Sequence, residues 1–88
     1  MTAETKTVES WKHTTRDGVD TLHRSYTFAD WTASLAFVQQ LVTIAKAQDH
    51  DPLVEISGGS VQVYTWSHDV AGVSDRDVRY ATAVNALG

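Results

Sequence analysis

Two short runs of alternating apolar residues meet at Gly58-Gly59, and no other stretch limits the fold of this chain so tightly. A Gly-Gly pair fits a two-residue hairpin turn of the primed type, because glycine enters positive φ without steric cost. Leu53 to Ser57 forms one leg and Ser60 to His68 the other. Pairing Ser57 with Ser60 sets Ile56 opposite Val61 and Val54 opposite Val63, so these residues share a buried face. Leu53, Glu55, Gln62, Tyr64, Trp66 and His68 fall on the opposite face. Its aromatic surface predicts a subunit contact there.

The residues before this hairpin organise around the lone proline, Pro52. Proline forbids helix and biases Asp51 toward extended backbone, so a helix entering from upstream ends near Gln48. Asp30 is a suitable N-cap and Trp31 opens the helix. Trp31, Leu35, Val38, Val42 and Ala45 recur at helical spacing, widened by Phe37, Leu41 and Ile44, and predict the face turned toward a sheet. Trp31 and Phe37 are read as core residues. Further upstream, Arg16-Asp17-Gly18 is a turn signal between a weakly alternating segment from Thr7 and a strand over Val19–Phe28. Trp11 is expected as a cross-strand partner in that hairpin. At the other end, Ser74 and Asp77 form a capping box for a helix over Asp75–Leu87, with Val78, Ala81, Val84 and Leu87 inward. The order is strand, strand, helix, strand, strand, helix. It predicts an α+β domain with a four-stranded antiparallel sheet and both helices on one face.

The chain has 88 residues and no cysteine. That length makes one small domain over residues 1–88, with polar residues 1–6 expected to fray. A thin core without disulfides favours oligomerisation. The net charge of −4 without a Lys/Arg cluster argues against nucleic acid as the main ligand. No apolar run reads as a signal peptide or membrane span, so the sequence reads as cytoplasmic, with no membrane partner.

Polar clusters sit at the outer ends of the Gly58-Gly59 hairpin: Asp49-His50-Asp51-Pro52 on one side, Trp66-Ser67-His68-Asp69 and Ser74-Asp75-Arg76-Asp77 on the other. Converging imidazoles and carboxylates make an acid–base site, a metal site or a solvated turn. Taken singly, the first cluster is a helix exit, the last a helix cap, and His68 a surface residue. Asp49, His50, Asp51 and His68 offer ligands suited to zinc or manganese, but no His-x-x-x-His spacing binds them into a metal motif. His13 and His23 lie outside these clusters and receive no role.

These clusters, with Leu22-His23-Arg24-Ser25-Tyr26-Thr27-Phe28, the helix at Trp31–Ala47 and Val61-Gln62-Val63, resemble the pterin-4a-carbinolamine dehydratase family. The likeness runs from Trp11 onward, and the spacing from Pro52 to His68 and Asp77 needs no gap. The resemblance implies an α+β domain that forms dimers or tetramers. It implies dehydration of 4a-hydroxytetrahydropterin to the quinonoid dihydropterin without metal or organic cofactor. An aromatic amino acid hydroxylase is the implied partner. Carried over by position, His50 and His68 are the catalytic histidines. Asp51 stands where the family has its second histidine, and as a third catalytic candidate it is suited to hold a substrate N–H or act as a base. Asp49, Asp77 and Trp66 are expected to contact substrate. Lys46 replaces an acidic residue, Gly58 or Gly59 an aromatic one, and little chain precedes Trp11 for the family's N-terminal helix. A non-catalytic domain of the same fold, serving as a dimerising partner or assembly factor, is the alternative.

Overall fold

The computed structural model describes residues 6–87. Strand β1 (Lys12–Arg16) turns through Asp17-Gly18 into β2 (Val19–Thr27). Helix α1 (Trp31–Gln48) follows, then β3 (Leu53–Ser57), β4 (Ser60–Thr65), a short 3-10 turn over His68–Val70 and helix α2 (Asp75–Asn85). The four strands pair antiparallel in the order β1-β2-β4-β3. The β3–β4 register places Ser57 opposite Ser60, Ile56 opposite Val61 and Val54 opposite Val63, as the Gly58-Gly59 turn requires.

The core lies between the sheet and the two helices. Leu22, Val61 and Val63 from the sheet meet Leu41 of α1 and Tyr80, Ala81 and Val84 of α2. The Tyr80 hydroxyl donates to the carbonyl of Leu41 at 3.1 Å, which ties the helices together, and burial pushes its pKa up. Asp30 caps α1 by accepting from the amide of Ala33 at 2.9 Å.

Helix α1 is rotated from the face that its spacing predicts. Trp31, Leu35 and Val42 are 50%, 37% and 45% exposed, so Trp31 is not a core residue. Phe37, Val38, Leu41, Ile44 and Ala45 meet the core instead. Ser34 explains the rotation. It is fully buried, and its hydroxyl donates to the carbonyl of Gly58 at 2.9 Å, which seats the first turns of α1 on the hairpin tip. A Cβ at Gly59 would lie 2.2 Å from the carbonyl oxygen of Phe28, so this seat requires glycine there.

Other boundaries also differ. Trp11 precedes β1 rather than pairing across the hairpin; its ring is in the core and its indole N–H donates to Asn85 at 2.9 Å. Helix α2 stops at Asn85, leaves Leu87 exposed and buries Tyr80, a core residue that the predicted stripe omits. Strand β4 stops at Thr65, because Ser67 leaves the ladder to bridge Gly72 and close a loop around residues 68–70. Of the segment expected to fray, residues 1–5 lie outside the described residues, and Lys6 makes a 2.7 Å ion pair with Asp75. No helix among the described residues is long and apolar enough to cross a membrane.

Candidate functional site

The exit of α1 is built from a helix-stop motif without glycine. Asp49 takes a left-handed conformation, φ 51° and ψ 50°. The amide of Asp49 donates to Lys46 at 3.3 Å and that of His50 donates to Ala45 at 3.0 Å. This is a Schellman arrangement, and aspartate enters the left-handed region more readily than most residues. The motif turns the chain sharply and aims His50 back under the sheet, while Pro52 starts the extended path into β3.

His50 is held from below. Its Nε2 lies 2.8 Å from Oδ1 of Asp77 and 2.7 Å from the hydroxyl of Thr65. Asp77 is fully buried. Its Oδ1 also accepts from Thr65 at 2.6 Å, and its Oδ2 accepts from the hydroxyl of Ser67 at 2.7 Å and the amide of Ser74 at 2.9 Å. Because an ionised carboxylate only accepts, Nε2 carries the proton of this hydrogen bond. Nδ1 has no hydrogen bond among the described residues. The ring also packs 5.8 Å from that of Tyr80.

The cleft above this floor has a volume of about 380 Å³. Asp49, His50 and Asp51 line it from the α1 exit, and Trp66, Ser67 and His68 from the end of β4. Asp69 and Arg76 form an exposed ion pair at its rim, where the hydrogen bond from Arg76 holds the Asp69 carboxyl below the usual range. Five of the six residues singled out from the sequence, His50, His68, Asp51, Asp49 and Trp66, therefore border one space. The sixth, Asp77, does not. It is sealed behind His50 with both oxygens engaged, so it holds an imidazole rather than meeting a ligand. His68 does not end a strand; it opens the 3-10 turn, is exposed, and keeps its ring 5.0 Å from that of Trp66.

The predicted site omits Thr65 and Ser67. Thr65 continues the inward phase of Val61 and Val63 along β4, and Ser67, beyond the strand end, is buried where it bridges Gly72, so two hydroxyls lie in the interior. A buried hydroxyl requires a partner, and that requirement is the signal that leads to Asp77. Among the described residues no group of three or more His, Cys, Asp or Glu side chains is arranged to hold a metal ion.

Comparison with known proteins agrees with this architecture. A profile of the family described as pterin 4 alpha carbinolamine dehydratase matches residues 1–87. A protein of Rhizorhabdus wittichii, provisionally named pterin-4-alpha-carbinolamine dehydratase, is 38% identical over 71 residues, or 81% of this chain and 73% of its own length. A similarly named protein of Nitrobacter hamburgensis is 31% identical over 97% of this chain and 82% of its own length. A Brucella melitensis protein described as a transcriptional coactivator/pterin dehydratase superposes with a TM-score of 0.79 at 28% identity, covering 90% of this chain and 82% of that one. A pterin dehydratase-like protein identified as a RuBisCO assembly factor in the alpha-carboxysome shares the fold, with a TM-score of 0.72 at 16% identity over 90% of this chain and 89% of that one. The chain belongs to the pterin-4a-carbinolamine dehydratase family.

Proposed function

We propose that the chain dehydrates a 4a-hydroxytetrahydropterin to the quinonoid dihydropterin, with the ring bound in the His50–His68 cleft. The observation that carries this reading is the pairing of an anchored imidazole with a free one across a single cleft. His50 takes the proton from N5 on Nδ1. Asp77, on the far side of the ring, steadies the imidazolium that forms. The N5 electron pair becomes the N5=C4a double bond as the C4a–O bond breaks. His68 gives its proton to the departing oxygen, which leaves as water. Solvent then returns His68 to its protonated form and His50 to its neutral form. Asp51, exposed at the cleft wall, accepts a hydrogen bond from a substrate N–H. The direct test is whether purified protein accelerates decay of the 4a-carbinolamine. Acceleration that disappears in His50→Ala supports the reading, and a wild-type rate equal to buffer sinks it.

A second reading is a non-catalytic domain that dimerises or assists assembly. Asp51 in place of the family's second histidine favours it, as do the exposed Trp31, Leu35 and Val42 along α1. Homo-oligomerisation is compatible with both readings. Of the two outer-face aromatics expected to drive it, Tyr64 is already covered within the chain, with the Arg16 guanidinium at 4.3 Å and the His23 ring stacked at 4.5 Å, and Trp66 borders the cleft. The apolar strip of α1 is the better contact surface, and sedimentation showing only monomer would argue against it.

A further inference from the structure

Strand β1 begins at Lys12, which pairs with His23, so β2 runs on past it and Arg24 and Ser25 have no partner in β1. The uncovered end of β2 and the turn before β1 enclose a pocket of about 250 Å³, lined by Ser10, Lys12, His23, Arg24 and Ser25. It shares no lining residue with the His50–His68 cleft.

The charge of this lining stands out in a chain of net charge −4. It contains Lys12, Arg24 and an imidazole, and no carboxylate. Lys6, Arg16 and Arg76 each face an acidic side chain. Lys12 and Arg24 have no ion-pair partner among the described residues. The hairpin brings these two cations together, so they form no cluster in the sequence.

The groups around the pocket are fixed without being neutralised. The Arg24 guanidinium lies 4.4 Å above the Tyr26 ring and donates to the side-chain oxygen of Asn85, which leaves N–H groups on its other nitrogens. His23 stacks on Tyr64 at 4.5 Å, and its Nε2 lies 2.7 Å from Oε1 of Gln62. Gln62 is oriented in turn by donating to Ser60 at 3.0 Å. Ser10 is exposed and held in the left-handed region, φ 71°, a conformation costly for a residue other than glycine and concentrated at ligand sites. Its hydroxyl has no hydrogen bond among the described residues.

We propose that this pocket binds a phosphate group carried by a small molecule. Lys12 supplies a point charge, Arg24 a directional pair of donors and Ser10 a hydroxyl, with His23 as the wall. A phosphate monoester carries roughly two negative charges on three terminal oxygens, enough acceptors to engage all three donors at once. A carboxylate, with one charge, engages fewer. The negative charge of the chain as a whole repels long polyanions, so the occupant is a small ester and not a nucleic acid. The proposal does not rest on the dehydratase reading.

The test is an NMR titration of the whole chain with inorganic phosphate, glycerol phosphate or acetate at matched low ionic strength. Both phosphates should shift the amide signals of Ser10, Lys12 and Ser25 and saturate in the millimolar range or below. Acetate should bind more weakly. Lys12→Gln should weaken phosphate binding by roughly five- to tenfold, the effect of losing one charged donor at a half-open site. Lys46→Gln makes the same change in net charge beside β3, at the opposite edge of the sheet, and should leave the Kd unchanged. Arg24→Lys should also weaken binding, because lysine lacks the fork. Lys12 is exposed and without an ion-pair partner, so its replacement tests the site even where Arg24→Lys disturbs the packing on Tyr26. Equal binding of acetate, equal losses in Lys12→Gln and Lys46→Gln, or shifts that do not saturate overturn the proposal.

Discussion

His50 and His68 border one cleft on opposite kinds of support. His50 is 10% exposed and rests on a carboxylate that is itself sealed by Thr65, Ser67 and the backbone of Ser74. His68 stands on a 3-10 turn in water beside Trp66, with Arg76 and Asp69 paired nearby at the rim. The floor is part of the fold, and the rim is added to it. A floor residue therefore couples stability to chemistry, and a rim residue separates them.

The largest break in that contrast is Asp77→Ala. It removes the capping box of α2 and leaves His50, Thr65 and Ser67 without their shared acceptor. We expect a loss of about 3–5 kcal/mol, as for other buried ionic networks deprived of one partner. That is a large part of the roughly 5–15 kcal/mol typical of a domain. A urea midpoint within error of wild type would show that the floor is not structural.

Replacing the two histidines separates floor from rim. His50→Ala and His68→Ala should each lower turnover by about 10²–10⁴, the usual cost of a positioned acid–base group. His50→Ala should also cost about 1–3 kcal/mol, because Asp77 loses a donor in a buried setting. His68→Ala should stay within about 0.5 kcal/mol of wild type. Equal destabilisation of both would erase the distinction.

Asp51→His sharpens the rim side alone. It restores the family's second histidine at an exposed position, so turnover should rise while the thermal midpoint stays in place. Unchanged or lower turnover would mean that Asp51 is a working residue and not a weaker substitute.

The smallest effect lies outside the cleft and serves as its control. Asp20 accepts a hydrogen bond from His13 and raises the imidazole pKa above 6.5, against a smaller opposing effect of burial. The folded value exceeds the unfolded one, so this stabilisation is complete below pH 6.5 and fades as pH rises through the raised value. His13→Ala should flatten the stability profile in that window and leave turnover alone. A slope that persists in the variant assigns it elsewhere.

The hairpin register and the element order were legible because Gly58-Gly59, Asp17-Gly18 and Pro52 each permit few backbones. The rotation of α1 was not, since apolar residues occupy most of its circumference and the deciding contact comes from a serine reaching a distant carbonyl. The convergence of His50 and His68 followed from hairpin geometry. The depth of Asp77 did not, because a capping aspartate looks the same in sequence whether it faces water or lies beneath an imidazole. The 3-10 turn at His68 also stayed hidden, since only the Ser67–Gly72 bridge marks where the ladder ends.

The Asn85 side chain joins parts of the chain that are remote in sequence. Its carbonyl oxygen accepts from the Trp11 indole and from Arg24, and its amide donates to the carbonyl of Glu9 at 2.8 Å. Contacts spanning 74 and 76 residues become favourable only after the intervening sheet and helices have closed the loop between them. This clamp belongs to the late side of the folding barrier. Asn85→Ala should steepen the escape from the native state and leave the rate of reaching it untouched, a shift confined to the unfolding arm of a chevron plot. The residue then sets how long a folded molecule lasts, independently of how quickly one forms.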